Sequence, residues 1–235
     1  MSFISNLIAR LERPTAGSTE TSRRVLELCG KITPANALFI GDECDTPQLI
    51  EQTFGISPLA CFTEQHRADK AAEQGFETRV VMPYEIPAKD GGWDFIQYNG
   101  GAITGGASPI LERLRSCLAN GGTAVFRTLC WLIDPSPDTG CYVSRRFGTP
   151  EPLDKVLREA KEQGFKVRDF YIAPKTDWTK GLYRPLEEAM KSLEGSGEDE
   201  EYGDTRTGIS EINKEIYMFD LHSEEYSYVF YILGC

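Results

Sequence analysis

Only two histidines, His66 and His222, stand among the 235 residues, and the chain has no Cys-x-x-Cys pair, no Gly-x-Ser-x-Gly elbow and no phosphate loop ending in Gly-Lys-Ser/Thr. These absences exclude a structural zinc site, a serine-hydrolase elbow and a P-loop nucleotidase. The seven cysteines are an odd number spread along the chain, which excludes a disulfide framework and suits small buried hydrophobes in a reducing compartment. No apolar run approaches the roughly 18–20 residues of a membrane span. Basic residues are in deficit: 25 Lys and Arg face 36 Asp and Glu, leaving a net charge of −11 and a pI near 4.8. A nucleic-acid groove needs a basic stripe, and an anionic membrane surface attracts one, so neither is an expected partner.

What remains is an ordinary globular composition, 40% hydrophobic and 26% charged, with ample material for a core. Met1–Glu12 carries Phe3, Ile4, Leu7, Ile8 and Leu11 on one face. It reads as an amphipathic helix rather than a signal sequence, and a cytoplasmic location is expected. Such a helix can cover the sheet or pair with a second copy. Arg13-Pro14-Thr15-Ala16-Gly17 is a break. Ser18 or Thr19 then caps a helix through Leu28.

From there strand and helix signals alternate. Strands are expected at Ala37–Ile40, Leu59–Thr63, Thr78–Met82, Trp93–Tyr98, Thr123–Trp131, Phe165–Ile172 and Ser227–Leu233. Helices are expected at Thr46–Phe54, Gln65–Gln74, Pro109–Leu118, from Pro152 to Gln163, Asp177–Leu193 and Ile209–Leu221. Ile133–Pro150, with Pro135, Pro137 and Gly140, reads as a loop, and the acidic stretch Gly195–Asp204 as a solvated one. The alternation calls for an α/β three-layer sandwich around a doubly wound, seven-stranded, mostly parallel sheet. Its parts are an N-terminal helical segment (1–34), a Rossmann-like core (35–174), a helical lid insertion (175–224) and the last strand (225–235).

The stretch that organises this chain is Ala35–Asp45. A short apolar strand ends in Gly41, and a helix follows after Asp42, Glu43, Cys44 and Asp45. Strand, tight turn and helix make the nucleotide-type corner of a doubly wound sheet, where glycines normally let the backbone approach the ligand. Here Gly41 alone survives among acids. Those acids equally suit the start of a helix, with Asp45 or Thr46 as its cap.

Arg113–Phe126, with Asn120-Gly121-Gly122 before the fifth strand, and Ile86–Ile96, with Asp90-Gly91-Gly92-Trp93-Asp94, share a register with Arg23–Cys29 ahead of the first strand. In this register the chain resembles the class I S-adenosylmethionine-dependent methyltransferases over nearly its whole length, with a degenerate glycine-rich cofactor motif. The resemblance implies a methyltransferase fold, S-adenosylmethionine as cofactor and a small-molecule substrate. Its alternative is a fold relative without catalysis, serving as a binding or regulatory partner, in a homodimer or beside a related enzyme. Cofactor-binding positions implied are Gly41, Asp42, Glu64, Pro83 and Asn99. Glu64 lies 23 residues beyond Gly41, near the ~20 expected of a ribose-binding acid, but also suits an ordinary helix start. Departures are Phe39, Glu43, Asp45 and Met82, which stand where the family carries an acid, two glycines and a further acid. Tyr98, Trp131, Tyr142 and Trp178 are the substrate-side candidates, either as an aromatic pocket or as packing. No catalytic residue and no metal ligand is assigned.

Overall fold

A computed structural model describes residues 7–8, 11–82, 84–100, 106–194 and 205–235. The elements, in chain order, are α1 (Thr19–Leu28), β1 (Ala37–Ile40), α2 (Thr46–Phe54), β2 (Leu59–Phe62), α3 (Gln65–Glu73), β3 (Thr78–Val80) and β4 (Trp93–Asn99). Next come α4 (Ser108–Cys117), β5 (Leu118–Trp131), α5 (Pro137–Phe147), the short β6 (Glu151–Pro152), α6 (Leu153–Glu162) and β7 (Lys166–Ile172). Last are α7 (Lys175–Trp178), a π-helical turn (Thr179–Tyr183), α8 (Arg184–Glu194), α9 (Thr205–His222) and β8 (Tyr226–Gly234).

The sheet runs β3-β2-β1-β4-β5-β8-β7, with β6 pairing β5 off this path. Strands β1 to β5 are parallel, and β8 lies antiparallel between β5 and β7. Alternate residues of each central strand enter opposite cores. On β1, Ala37 and Phe39 join one apolar cluster while Leu38 and Ile40 join the other. This is the expected α/β sandwich around a mostly parallel sheet.

The order of the strands reverses between β1 and β4. In open α/β sheets the ligand crevice opens there, outside the carboxyl ends of the strands. Register places Ile40 beside Tyr98 and Asn99 beside Arg127, so the ends of β1, β4 and β5 form one rim.

Two expectations need correcting. The loop expected at Ile133–Pro150 contains α5. Ser136 caps it, accepting a hydrogen bond from the Thr139 amide (3.4 Å), and Pro137 sits at its first position, where a missing N–H costs nothing. Strand β5 begins at Leu118 rather than Thr123, because Leu118 already pairs with Trp93 across an irregularity in β4. The acidic stretch Gly195–Asp204 and most of Met1–Glu12 lie outside the described residues.

Helices α7 to α9 pack into the same apolar cluster as α1 and β1, through Trp178, Leu182, Leu186, Met190, Ile212 and Phe219. Among the described residues no helix is long and apolar enough to cross a membrane.

Candidate functional site

Glu43 sits in the turn between β1 and α2, at the carboxyl edge of the sheet, and its side chain is 1% exposed. A carboxylate so buried survives only if paired. Its Oε1 takes a 2.6 Å ion pair from Arg127 Nη1 and a 3.1 Å hydrogen bond from Thr15 Oγ1. Its Oε2 accepts from Asn99 Nδ2 at 3.1 Å. Burial pushes the Glu43 carboxyl up, but the guanidiniums of Arg127 and Arg13 and the Asn99 amide outweigh it and hold the group below the usual carboxylate range.

Arg127 is 2% exposed and fully engaged. Nη2 donates to Thr15 Oγ1 at 2.9 Å and Nε to the Gly100 carbonyl at 3.4 Å. Its flat face covers the Tyr228 ring, 4.6 Å from the centroid. Gly41 is pressed beneath the pair. A Cβ there would meet Glu43 Oε2 and Phe39 Cζ at 2.8 Å and Asn99 Cβ at 2.9 Å, so only glycine fits.

The segment Arg13–Gly17 closes over this corner as a strap. Arg13 forms an ion pair with Asp45, which also accepts from Thr19 Oγ1 at 2.8 Å. Asp45 holds the cap position of α2 but makes no side-chain capping bond. The far end of the strap is held by α7: the Gly17 amide donates to the Asp177 carbonyl at 3.3 Å. Beneath the corner lies buried Arg67, donating to the backbone oxygens of Asp42 (3.0 Å) and Leu11 (3.2 Å).

The other positions singled out from sequence separate into groups. Asp42 is tied to Thr63, accepting from its amide at 3.2 Å and its hydroxyl at 2.9 Å. Burial raises the Asp42 carboxyl above the ordinary value even so, the Thr63 bonds opposing it. Glu64 stands at the end of β2 in the cap position of α3, yet its carboxylate makes no capping bond. It is 51% exposed and touches His66 Nδ1 at 3.2 Å. Pro83 lies outside the described residues. Asn99 belongs to the Glu43 cluster, and Gln97 Nε2 donates to its Oδ1 at 3.2 Å. Tyr98 points to the opposite face of β4, packed on Phe126 at 5.9 Å. Met82 is exposed and Phe39 fully buried.

Nor do the four aromatic candidates share one pocket. Trp178 is core: it stacks on Phe219 (4.8 Å) and Tyr228 (5.3 Å), and its indole N–H donates to Ser227 Oγ at 3.1 Å. Trp131 meets Tyr226 edge-on at 6.0 Å. Tyr142 lines a separate cleft of about 440 Å³ between α5 and α9, with Cys141, Arg145, Glu211, Lys214 and Met218.

Does this corner fit S-adenosylmethionine? Around the nucleoside half it does. Glu64 offers a carboxylate to a vicinal diol. Gln97 Oε1, Thr46 Oγ1 and Asp45 Oδ1 are buried without a hydrogen-bond partner among the described residues, a costly state, but they lie beside Asn99 and in the Glu43 turn rather than beside Glu64. Around the amino-acid tail it does not: Glu43 occupies the crevice and Arg127 is already paired. Among the described residues no group of three or more His, Cys, Asp or Glu is arranged to hold a metal.

Sequence reasoning missed Arg127 and Thr15. A signal for Arg127 existed, since a lone cation inside the apolar run Ala124–Leu129 must find a buried acid. For Thr15 there was none.

Comparison with known proteins places this geometry in its class. No family model and no curated protein sequence matches the chain. Solved structures do. One is a SAM-dependent methyltransferase from Thiobacillus denitrificans in complex with S-adenosyl-L-homocysteine (16% identity, TM-score 0.78, covering 99% of this chain and 98% of that one). Another is a SAM-dependent methyltransferase from Geobacter sulfurreducens with the same ligand (13%, 0.76, 99% and 98%). A third is phosphoethanolamine N-methyltransferase 2 from Haemonchus contortus in complex with S-adenosyl-L-methionine (14%, 0.68, 99% and 56%). The chain therefore has the class I S-adenosylmethionine-dependent methyltransferase fold from end to end.

Proposed function

We propose that this chain is an S-adenosylmethionine-dependent methyltransferase acting on a small molecule. The observation that carries the reading is Glu64. It sits at the carboxyl end of β2, half exposed, and its carboxylate does no capping work. With only His66 beside it among the described residues, the half-exposed carboxylate can take a ribose diol at the place the fold provides. The bound cofactor supplies a methyl group on a sulfonium. The chain's own part is to hold the nucleoside with Glu64 and to shape the crevice with Gly41 and Asn99. A small-molecule substrate is supported by the likeness to phosphoethanolamine N-methyltransferase 2.

A second reading is favoured by one observation, the closed Glu43–Arg127 pair. On that reading the fold has lost catalysis and serves as a binding or regulatory partner, alone, as a homodimer or beside a related enzyme. Titration calorimetry with S-adenosylhomocysteine decides between them. Saturable binding that weakens tenfold or more in Glu64→Ala supports the enzyme. Absence of heat at millimolar adenosyl ligand, with and without the amino-acid tail, supports the partner.

A further inference from the structure

We infer that Glu43 determines which ligands the crevice takes: by occupying Arg127 it disfavours an adenosyl compound with a carboxylate tail relative to one without. The inference rests on the cofactor reading above and adds what that reading leaves open, namely how a tail carboxylate meets a corner already filled by one.

Three observations carry it. First, Glu64 marks the nucleoside half of the crevice, near β2. Whatever extends from the nucleoside toward β4 and β5 runs into Glu43, Asn99 and Arg127. Second, all three Arg127 nitrogens are engaged, to Glu43, Thr15 and Gly100. A ligand carboxylate reaches this guanidinium only by displacing Glu43. Two carboxylates cannot share the one guanidinium, because like charges in contact oppose each other, and the α-ammonium of such a tail gains little from Glu43, whose charge Arg127 already neutralises. Third, Glu43 is part of the chain. Held by the turn after Gly41, it competes at an effective concentration that a free ligand carboxylate does not match.

An adenosyl compound without the amino-acid end meets none of this. 5′-Deoxy-5′-methylthioadenosine has the same adenosyl group and sulfur as S-adenosylhomocysteine but lacks the amino-acid end, so the two compounds isolate the tail.

The test is calorimetry with both ligands on wild-type protein and on Glu43→Ala. In wild type, methylthioadenosine is expected to bind at least tenfold more tightly than S-adenosylhomocysteine. In Glu43→Ala, which bares Arg127, S-adenosylhomocysteine tightens at least tenfold while methylthioadenosine changes less than threefold. Equal or tighter binding of S-adenosylhomocysteine by wild type overturns the inference and leaves the cofactor reading standing. So does an equal gain for both ligands in the variant. Failure of both ligands to bind either protein overturns the cofactor reading itself. Should Glu43→Ala not fold, the wild-type ratio decides alone, and Thr15→Ala, which removes one anchor of Glu43, is expected to shift that ratio toward S-adenosylhomocysteine.

Discussion

A buried carboxylate and a buried guanidinium, 1% and 2% exposed, stand at the centre of the site. Removing one partner strands the other, at a cost of about 3–5 kcal/mol, whereas replacing both with apolar groups of similar volume is often neutral. Arg127→Met is therefore expected to lower the unfolding free energy by about 3–5 kcal/mol. The double variant Glu43→Leu/Arg127→Met should recover most of that loss, and urea denaturation of the four proteins closes the cycle. The same pair sets a pH dependence. The Glu43 carboxyl is held below its ordinary 4.5, so the unfolded chain binds its proton first as pH falls. Stability from the pair is fully present above that value and is lost as pH drops through the lower, folded one. Thermal melts below pH 4.5 should show a loss in wild type that is smaller in the double variant. Residues also mark the limit of what could be read from sequence. Glu43 was conspicuous as an acid in a glycine position, but its partner lies 84 positions away, and pairing at that range is set by strand register.

Among the elements, the strap Arg13–Gly17 joins three others. It touches the turn after β1 through Thr15 and Asp45, β5 through Arg127, and the π-helical turn through Gly17 and Gly181. A Cβ on Gly181 would sit 2.1 Å from the Gly17 carbonyl oxygen, which is backbone and cannot swing aside. Gly181→Ala is expected to destabilise by about 1–3 kcal/mol, as overpacking does. It should also raise amide hydrogen exchange across the strap, while a surface change such as Glu73→Ala leaves both unaltered. Most elements were legible because each carried its own signal: the Ala37–Ile40 run, the Thr46–Phe54 period, the Ser18 cap with its 3.1 Å bond to the Thr21 amide. Helix α5 was not, since Pro135, Pro137 and Gly140 read as breakers wherever the first turn is not recognised. The strap read as a mere break because its role consists of tertiary contacts.

For the whole molecule, a likeness at 13–16% identity reproduces the methyltransferase sandwich although few residues are shared. Burial explains the contrast. Strands sealed in two cores tolerate any apolar residue of suitable volume, so the fold outlives the sequence. A ligand corner depends instead on a few particular side chains, here Glu43, Asn99 and Arg127, which the fold alone does not fix. The most direct measurement is a crystal structure grown with millimolar S-adenosylhomocysteine. The expected result is the adenosyl group against Glu64, with the Glu43 carboxylate withdrawn from Arg127. Ligand seated in the crevice with the 2.6 Å Glu43–Arg127 pair intact, or ordered only elsewhere on the molecule, would contradict it.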